Sequence, residues 1–218
     1  MRIKRILGYK EMPAFSRFSV CMPIILTILV ASSLYLAAQS SSSEQEAILS
    51  REESALPPLY RQWLDQDVRW IISPQEKAAY LRLSDNNERD QFIKQFWERR
   101  NPESGSLENK VREEHYRRIA YTNVHFAAIN TAGWMSDRGR IYISLGKPNS
   151  IDSHPSGTAE QRGAFEVWHY DSIRLNAGAQ EIPGVGFKEE TEIKRDVSLL
   201  FVDDCNCGNY RLKSELPR

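Results

Sequence analysis

The sequence predicts an α+β fold in which an N-terminal layer of about four helices is followed by a small antiparallel β-sheet. Three observations lead to this prediction. Apolar residues recur at helical spacing from Leu59 to about Asn130, strict alternation replaces that spacing after Gly133, and turn residues separate the alternating runs. With 218 residues, of which 41% are hydrophobic, the chain is long enough to bury a sizeable core.

The first two helices are predicted from an amphipathic run and a capping box. The sequence Ser73-Pro74-Gln75-Glu76 places a capping hydroxyl, a proline at the first helical position and a glutamate three residues after the cap. The second helix is therefore expected to run from Pro74 to about Leu83. Before it, four apolar residues at three- and four-residue spacing predict one buried helix face: Tyr60, Trp63, Leu64 and Val68.

Two further helices complete the predicted layer. Asp85 caps the third, which ends near Asn101 because Pro102 cannot continue it. The fourth spans residues 107–129, and its charged cluster is interpreted as a solvated face in preference to a binding patch; the cluster is Glu113, Glu114, Arg117 and Arg118. Its predicted buried stripe is Val111, Tyr116, Ile119, Ala120, Val124, Ala127 and Ala128.

Alternating side chains predict the strands. Residues 140–145 and 164–170 alternate regularly, and residues 197–202 form a third apolar run. A turn in which Gly208 or an Asn takes a positive φ joins this run to Tyr210-Arg211-Leu212, which predicts a hairpin. Residues 176–195 begin with several glycines and alanines and continue with charged residues, so they are predicted to form a long surface loop.

Residues 1–38 differ from the rest of the chain. Five basic side chains against one acidic side chain accompany an apolar run at residues 20–38, which is typical of a secretory signal peptide. The alternative is an uncleaved anchor in the inner membrane, since 19 residues suffice to span a bilayer. Both interpretations predict an exported protein, periplasmic or secreted, because the positive flank stays inside.

The charge balance changes once this leader is set aside. The whole chain has 29 basic and 29 acidic residues, but residues 39–218 hold 24 and 28. A mildly acidic domain is not expected to bind nucleic acid. Residues 39–56 are rich in Ser and Glu and are predicted to be a polar tether, and residues 57–214 to be the folded domain. Membrane contact is expected only through the N-terminal segment, if it is uncleaved.

Common enzyme motifs are not present in the sequence. It contains no Gly-x-Ser-x-Gly elbow, no His-Glu-x-x-His, no Gly-x-Gly-x-x-Gly and no Walker loop, and no two histidines stand at metal-ligand spacing. We therefore expect no cofactor and no metal. These absences leave open a site assembled from distant residues.

Cys205 and Cys207 flank a single asparagine near the C-terminus. Two such thiols are expected to oxidise in an oxidising compartment. The expected product is a bridge within the turn or an intermolecular link, with a redox or metal role as the alternative.

The densest group of unusual residues, here called the corner, is Gly133–Arg140. Its two glycines permit close backbone approach. It is therefore interpreted as a structural corner that docks the first strand against the helices and that the Trp134 side chain fills. The functional alternative is an anion or carboxylate site at Asp137 and Arg138. The residues singled out are Gly133, Trp134, Asp137, Arg138, Gly139 and Arg140.

The corner sequence, Gly-Trp-Met-Ser-Asp followed by Arg-Gly-Arg-Ile-Tyr-Ile, resembles the GWxTD domain, a family of exported, chiefly acidobacterial proteins. Phe96-Trp97-x-Arg99-Arg100-Asn101-Pro102 and Glu166-Val167-Trp168-x-Tyr170 extend the resemblance. Ser136 replaces the threonine of the family name and keeps its hydroxyl. The resemblance implies no reaction, cofactor or catalytic residue.

The leading hypothesis is a non-enzymatic envelope or secreted module that binds another protein or an envelope polymer. One alternative is a hydrolase with a site at Asp137, Arg138, Glu166 and His169. The other is a redox-sensitive assembly that uses Cys205 and Cys207.

Overall fold

The computed structural model describes residues 44, 47–101, 108–159, 161–182 and 186–214. Helices come first and an antiparallel sheet of order β1-β2-β3-β4 follows, which confirms the α+β class. The helices are α1 (residues 47–55), α2 (Pro58–Gln62), α3 (Pro74–Leu81), α4 (Asn86–Arg100), α5 (Lys110–His125) and α6 (Asp137–Leu145). A π-helical turn, Trp63–Asp67, continues α2, and a 3-10 turn, Gly133–Met135, precedes α6. The strands are β1 (Ser150–His154), β2 (Ala164–Ile182), β3 (Gly186–Asp203) and β4 (Arg211–Leu212).

The predicted leader, residues 1–38, lies outside the described residues. Where the chain is described, no helix combines the length and the apolar character that crossing a bilayer requires. The predicted tether differs from expectation at residues 47–55, which are helical. Leu56, its last residue, is buried.

The predicted helix starts of α3 and α4 are confirmed. Ser73 Oγ accepts a hydrogen bond from the Glu76 amide at 3.2 Å, and Glu76 Oε2 accepts one from the Ser73 amide at 3.0 Å. Asp85 caps α4 in the same way, through the Glu88 amide. The four apolar residues predicted to share one face of the first helix are all buried.

The predicted buried stripe of α5 is wrong in part. The buried residues of this helix are His115 and Thr122, whereas Val124 is 77% exposed. Both buried polar side chains are satisfied by carbonyl oxygens, His115 by that of Asp67 and Thr122 by that of Ile119. A buried helix face made of hydrogen-bonded polar residues cannot be predicted from the spacing of apolar residues. The helix also ends at His125, earlier than predicted.

The strand predicted at residues 140–145 is wrong, because these residues belong to α6. The Ser136 hydroxyl caps the helix by accepting a hydrogen bond from the Gly139 amide at 3.0 Å. Gly146, at φ 89°, ends it. Ile141 and Ile143 are both buried. The helix is therefore covered on more than one side, and its apolar residues imitate strand alternation.

The long loop predicted at residues 176–195 is also wrong. The β2–β3 pairing extends as far as Ile182 opposite Gly186, so this segment is the distal part of a long hairpin. Arg174 and Ile193 form a cross-strand pair there and are both exposed. The segment combines glycines and alanines with charged residues, so the hydrophobic alternation of a half-buried strand is missing from its sequence.

The core of the sheet lies on one face of β2 and β3. Trp168, Leu199 and Phe201 are fully buried there and pack with Phe126 and Ile141 from the helical region. The predicted strands at residues 164–170 and 197–202 are confirmed as parts of β2 and β3. The β3–β4 hairpin is also confirmed: Phe201 pairs with Leu212, and both Asn206 and Gly208 have positive φ.

Candidate functional site

A cleft of about 700 Å³ opens where α4, α5 and α6 meet the base of the β2–β3 hairpin. Its walls combine cations with apolar surface. Among the described residues, the charged side chains that line it are Arg99, Arg100, Lys110, Arg118 and Arg174, with Glu114 as the one acid. The apolar residues are Ile71, Trp97, Val111 and Ile143.

A buried carboxylate holds two of these cations in place. Glu76 is fully buried, and both of its oxygens bind the Arg100 guanidinium, at 3.1 and 2.9 Å. Its Oε1 also accepts a hydrogen bond from Arg99 at 3.0 Å. Burial opposes ionisation of Glu76, but the hydrogen bonds and charge of Arg100 outweigh burial and lower its pKa. One buried carboxylate thus holds two guanidiniums at the cleft floor.

The opposite wall of the cleft belongs to α5. Arg118 donates to Glu114 at 3.0 Å and to the carbonyl oxygen of Ile143 at 3.4 Å, which ties α5 to α6. Glu114 also binds Arg117 on the solvent side. Arg174 reaches the cleft from β2 and is exposed, with no hydrogen-bond or ion-pair partner among the described residues.

Two buried rings complete the cleft wall. His115 is 5% exposed, and its Nε2 donates to the carbonyl oxygen of Asp67. Burial lowers the pKa of His115, and the nearby charges of Arg118 and Arg100 lower it further. Trp97 is 3% exposed, and its indole N–H has no hydrogen-bond partner within the described ranges. The cleft therefore presents cations on its walls, which suits a negatively charged ligand.

The corner differs from the cleft because its backbone segments are in direct contact and leave no open space between them. A Cβ atom on Gly133 would lie 1.8 Å from the carbonyl oxygen of Thr122. One on Gly139 would lie 1.9 Å from the carbonyl oxygen of Gly133. The two glycines therefore allow α5, the 3-10 turn and α6 to touch directly.

The charged residues of the corner form hydrogen bonds with other parts of the domain. Asp137 Oδ2 accepts a hydrogen bond from the Leu212 amide of β4 at 2.9 Å. Arg138 donates to Glu166 at 3.0 Å and to the carbonyl oxygen of Gly208 at 3.3 Å, and its guanidinium lies 3.9 Å from the Tyr210 ring. The corner thus binds α6 to the sheet through side chains that are largely withdrawn from solvent.

Trp134 and Arg140 contribute fewer side-chain contacts to the corner than expected. Trp134 is only half-buried, so it does not fill the corner as predicted. It contributes its backbone instead, because its carbonyl oxygen accepts from Trp70 Nε1 at 2.9 Å and its amide donates to Asn123. Arg140 lies 3.9 Å from Asp137 on the same helix.

The four residues of the hydrolase hypothesis do not converge. Arg138 and Glu166 form an ion pair beside Asp137, but His169 lies on the opposite face of β2, since side chains alternate along a strand. There its Nδ1 lies 2.9 Å from Ser198 Oγ and its Nε2 lies 3.0 Å from Asp152 Oδ2.

Cys205 and Cys207 form a disulfide within the β3–β4 turn. This is the turn-local bridge of the predicted alternatives. The buried Asp203 carboxylate stabilises the turn by accepting from the amides of Cys207 at 3.1 Å and Gly208 at 2.7 Å. Asp203 and both sulfurs lie within 4.8 Å of one another. With the sulfurs bonded to each other, neither offers the thiolate that a metal would bind.

A family model described as the GWxTD domain matches residues 33–182, which is more than half of the chain. The chain belongs to the GWxTD domain family. Comparison with curated proteins and with solved structures finds no match. The matched range contains the GWxTD corner and most of the residues that line the cleft.

The cleft of this GWxTD domain was not predicted from the sequence, although its residues are visible there. Trp97, Arg99, Arg100 and Asn101 belong to a motif that the sequence tied only to a helix end and to the family resemblance. Glu114 and Arg118 belong to a cluster that was assigned to solvent. The available signal was the density of arginines at the end of one helix and on the next, but only the tertiary fold brings them together with Arg174 from β2.

Proposed function

We propose that this GWxTD domain is an exported, non-enzymatic binding module that holds a negatively charged ligand in the cleft. The observation that supports the proposal is that Arg174, which is exposed and has no partner among the described residues, lines one cleft together with four other cations. These are Arg99, Arg100, Lys110 and Arg118. The chain after the leader is acidic as a whole, so this concentration of cations runs against its composition. The N-terminal sequence supports export.

The cations suit recognition of carboxylate, sulfate or phosphate groups. Guanidinium groups bind such oxyanions through two parallel hydrogen bonds. Glu76 fixes Arg99 and Arg100 before any ligand arrives. A ligand therefore loses little affinity to side-chain ordering at these two positions.

The test uses fluorescein-labelled dextran sulfate as the probe and fluorescence anisotropy as the measurement. We expect the purified full chain to bind it, and Arg174→Ala to weaken binding by about tenfold, as expected when one charged contact is lost. The matched control is Arg162→Ala, an exposed arginine that does not line the cleft. Absence of binding, or an equal loss in both variants, contradicts the proposal.

One observation favours a second candidate function, hydrolysis at the outer face of the sheet. Asp152, His169 and Ser198 are hydrogen-bonded in the order acid, base, nucleophile, with Nδ1 of His169 toward the serine and Nε2 toward the acid, the reverse of the serine-protease arrangement. If this array activates Ser198, a fluorophosphonate probe labels that residue in the full chain, and His169→Gln prevents labelling. Ser153→Ala, which changes an exposed serine outside the array, is the control. An unlabelled Ser198 eliminates this candidate.

A further inference from the structure

The disulfide between Cys205 and Cys207 is placed unlike a bridge that stabilises a fold. It encloses one residue, Asn206, whereas a bridge restricts the unfolded chain more strongly when it closes a longer loop. Both cysteines belong to the same turn, so the bond joins no two elements that would otherwise separate. Its contribution to the stability of the domain is therefore expected to be small.

The turn that carries the disulfide is held by contacts that do not involve sulfur. The buried Asp203 carboxylate accepts hydrogen bonds from two amides of the turn, those of Cys207 and Gly208. The carbonyl oxygen of Gly208 accepts a hydrogen bond from Arg138, and β4 pairs with β3 beyond the turn. Because these contacts remain when the two sulfurs separate, reduction of the disulfide is expected to leave the turn folded.

The two sulfurs differ in their access to solvent. Cys205 is exposed, whereas Cys207 is half-buried. Thiol–disulfide exchange begins when a thiolate attacks one sulfur of the bond, and its rate depends on access to that sulfur. Cys205 is therefore the sulfur that an incoming thiolate reaches first.

The Asp203 carboxylate lies beside the exposed sulfur. Its Oδ1 is 3.3 Å from Cys205 Sγ, and the carboxylate is only 4% exposed. In the reduced turn, the Cys205 thiol can donate a hydrogen bond to this oxygen. The amides of the turn fix the carboxylate, so an acceptor for the reduced form is already in place.

We infer that Cys205 and Cys207 form a reversible redox couple that oxidises a dithiol of another molecule. A thiolate of the dithiol attacks Cys205 Sγ and forms a mixed disulfide. The bond between the two cysteines breaks, and its electron pair goes to the sulfur of Cys207. The second thiolate of the dithiol then attacks the dithiol's own sulfur in the mixed disulfide, which closes the new disulfide and releases Cys205 with the electron pair.

The exchange balances without a further reactant. The dithiol loses two electrons and two protons and becomes a disulfide, and the two cysteines take up both electrons and both protons and become thiols. Each chain oxidises one dithiol in this step. The inference is independent of the proposed binding function, since it uses none of the residues that line the cleft.

The first experiment measures reduction of the purified full chain by dithiothreitol, in native buffer and in urea. Alkylation with iodoacetamide followed by peptide mass spectrometry assigns each thiol and separates Cys21 of the leader from the turn. We expect the rate at Cys205 and Cys207 in native buffer to be within about tenfold of the rate in urea, because the bond is accessible in the folded domain. If the bond opened only on unfolding, the rate in native buffer would be lower by a factor on the order of 10³ or more. The far-ultraviolet circular dichroism spectrum is expected not to change on reduction.

The second experiment identifies the sulfur that is attacked, with a matched pair of variants. Cys207→Ser leaves Cys205 as the thiol of the turn, and Cys205→Ser leaves Cys207. With oxidised glutathione as the probe, we expect the mixed disulfide to form at least about fivefold faster at Cys205 than at Cys207, because access to the sulfur differs.

The two experiments can each overturn the inference. Reduction that needs unfolding, or a loss of the circular dichroism signal on reduction, would show that the disulfide is a structural part of the fold. Equal rates of mixed-disulfide formation in the two variants would rule out Cys205 as the preferred point of attack. The first experiment uses the wild type, so it decides the matter even if a cysteine variant does not fold.

Discussion

The corner and the cleft lie on the same helices but use charged residues in opposite ways. At the corner, Asp137 and Arg138 are bonded to β2, β4 and the turn between β3 and β4. At the cleft, Arg174 is exposed, and the buried Trp97 donor has no partner among the described residues. Both regions contain buried ion pairs. The corner also has a buried donor without a partner among the described residues, Arg138 Nε, so what distinguishes the cleft is its exposed cation, Arg174.

This difference shows why conspicuous residues are a poor guide to a site. Glycines and a tryptophan drew attention to the corner, yet their positions are explained by close backbone contact. The cleft residues are ordinary members of helices, and the fold gives them their significance. The following predictions test this contrast through stability and binding, from the largest expected effect to the smallest.

The largest effect is expected from Gly133→Ala and Gly139→Ala. Each new Cβ atom meets a backbone oxygen at less than 2 Å, so α5, the 3-10 turn and α6 must separate. We expect a loss of at least about 4 kcal/mol in the free energy of unfolding, or failure to fold, by circular dichroism.

Gly208→Ala is the control for backbone conformation. Gly208 has φ 80° and nothing within 4 Å of the position of a Cβ atom. Its substitution is expected to cost only about 1–2 kcal/mol. If Gly133→Ala costs no more than this control, close contact does not explain the corner.

Glu76→Gln tests whether the buried carboxylate beneath the cleft stabilises the fold. The substitution removes the buried carboxylate that Arg99 and Arg100 share, and breaking a buried ion pair costs about 3–5 kcal/mol. Thermal unfolding is expected to show a Tm lower by roughly 10 °C. Glu98→Gln, which alters an exposed pair with Lys94 at 3.8 Å, is expected to leave Tm nearly unchanged. Equal Tm values for the two variants contradict a supporting role for Glu76.

Asp137→Ala separates stability from binding. It removes the acceptor of the Leu212 amide, which is expected to cost about 1–2 kcal/mol and to leave dextran sulfate binding unchanged. Asp204→Ala, which alters an exposed pair with Lys213, is the control and is expected to change neither property. An unchanged Tm together with lost binding would show that the corner is the binding site.

Local sequence was sufficient for elements whose ends are set by their own residues. Ser73 with Glu76, and Asp85 with Glu88, cap α3 and α4 as predicted, because a capping bond involves neighbours three residues apart. It was insufficient for α6 and for the distal hairpin. Ile141 and Ile143 alternate because α6 is covered on more than one side. Residues 176–195 combine glycines and alanines with charged residues, so the sequence there lacks strand alternation although the segment pairs in a hairpin.

The candidate site was less predictable than the fold. Asp137 and Arg138 do lie together in one corner, but the corner joins α6 to the sheet and does not dock a first strand against the helices as predicted. The cleft depends on contacts such as that of Glu76 with Arg100, 24 residues apart, and on Arg174 from a strand. One sequence without tertiary contacts does not show which of its many arginines converge.

The smallest effect concerns the pH dependence of the cleft wall. Burial lowers the pKa of His115 below its ordinary value of about 6.5, so the folded state binds the proton more weakly than the unfolded chain. Its contribution to stability is fully present above pH 6.5 and is lost as the pH falls from there, with a slope of at most about 1.4 kcal/mol per pH unit.

The test compares the wild type with His115→Gln, which keeps a donor for the Asp67 carbonyl oxygen and does not titrate. Asp67, whose pKa burial raises, is present in both proteins, as are Arg118 and Arg100, so the difference between them isolates the imidazole. Urea unfolding from pH 9 to pH 5 is therefore expected to show the wild type losing stability relative to His115→Gln below pH 6.5, with parallel curves between pH 8 and 9. Curves that stay parallel down to pH 5 would mean that His115 is not held neutral in the cleft wall.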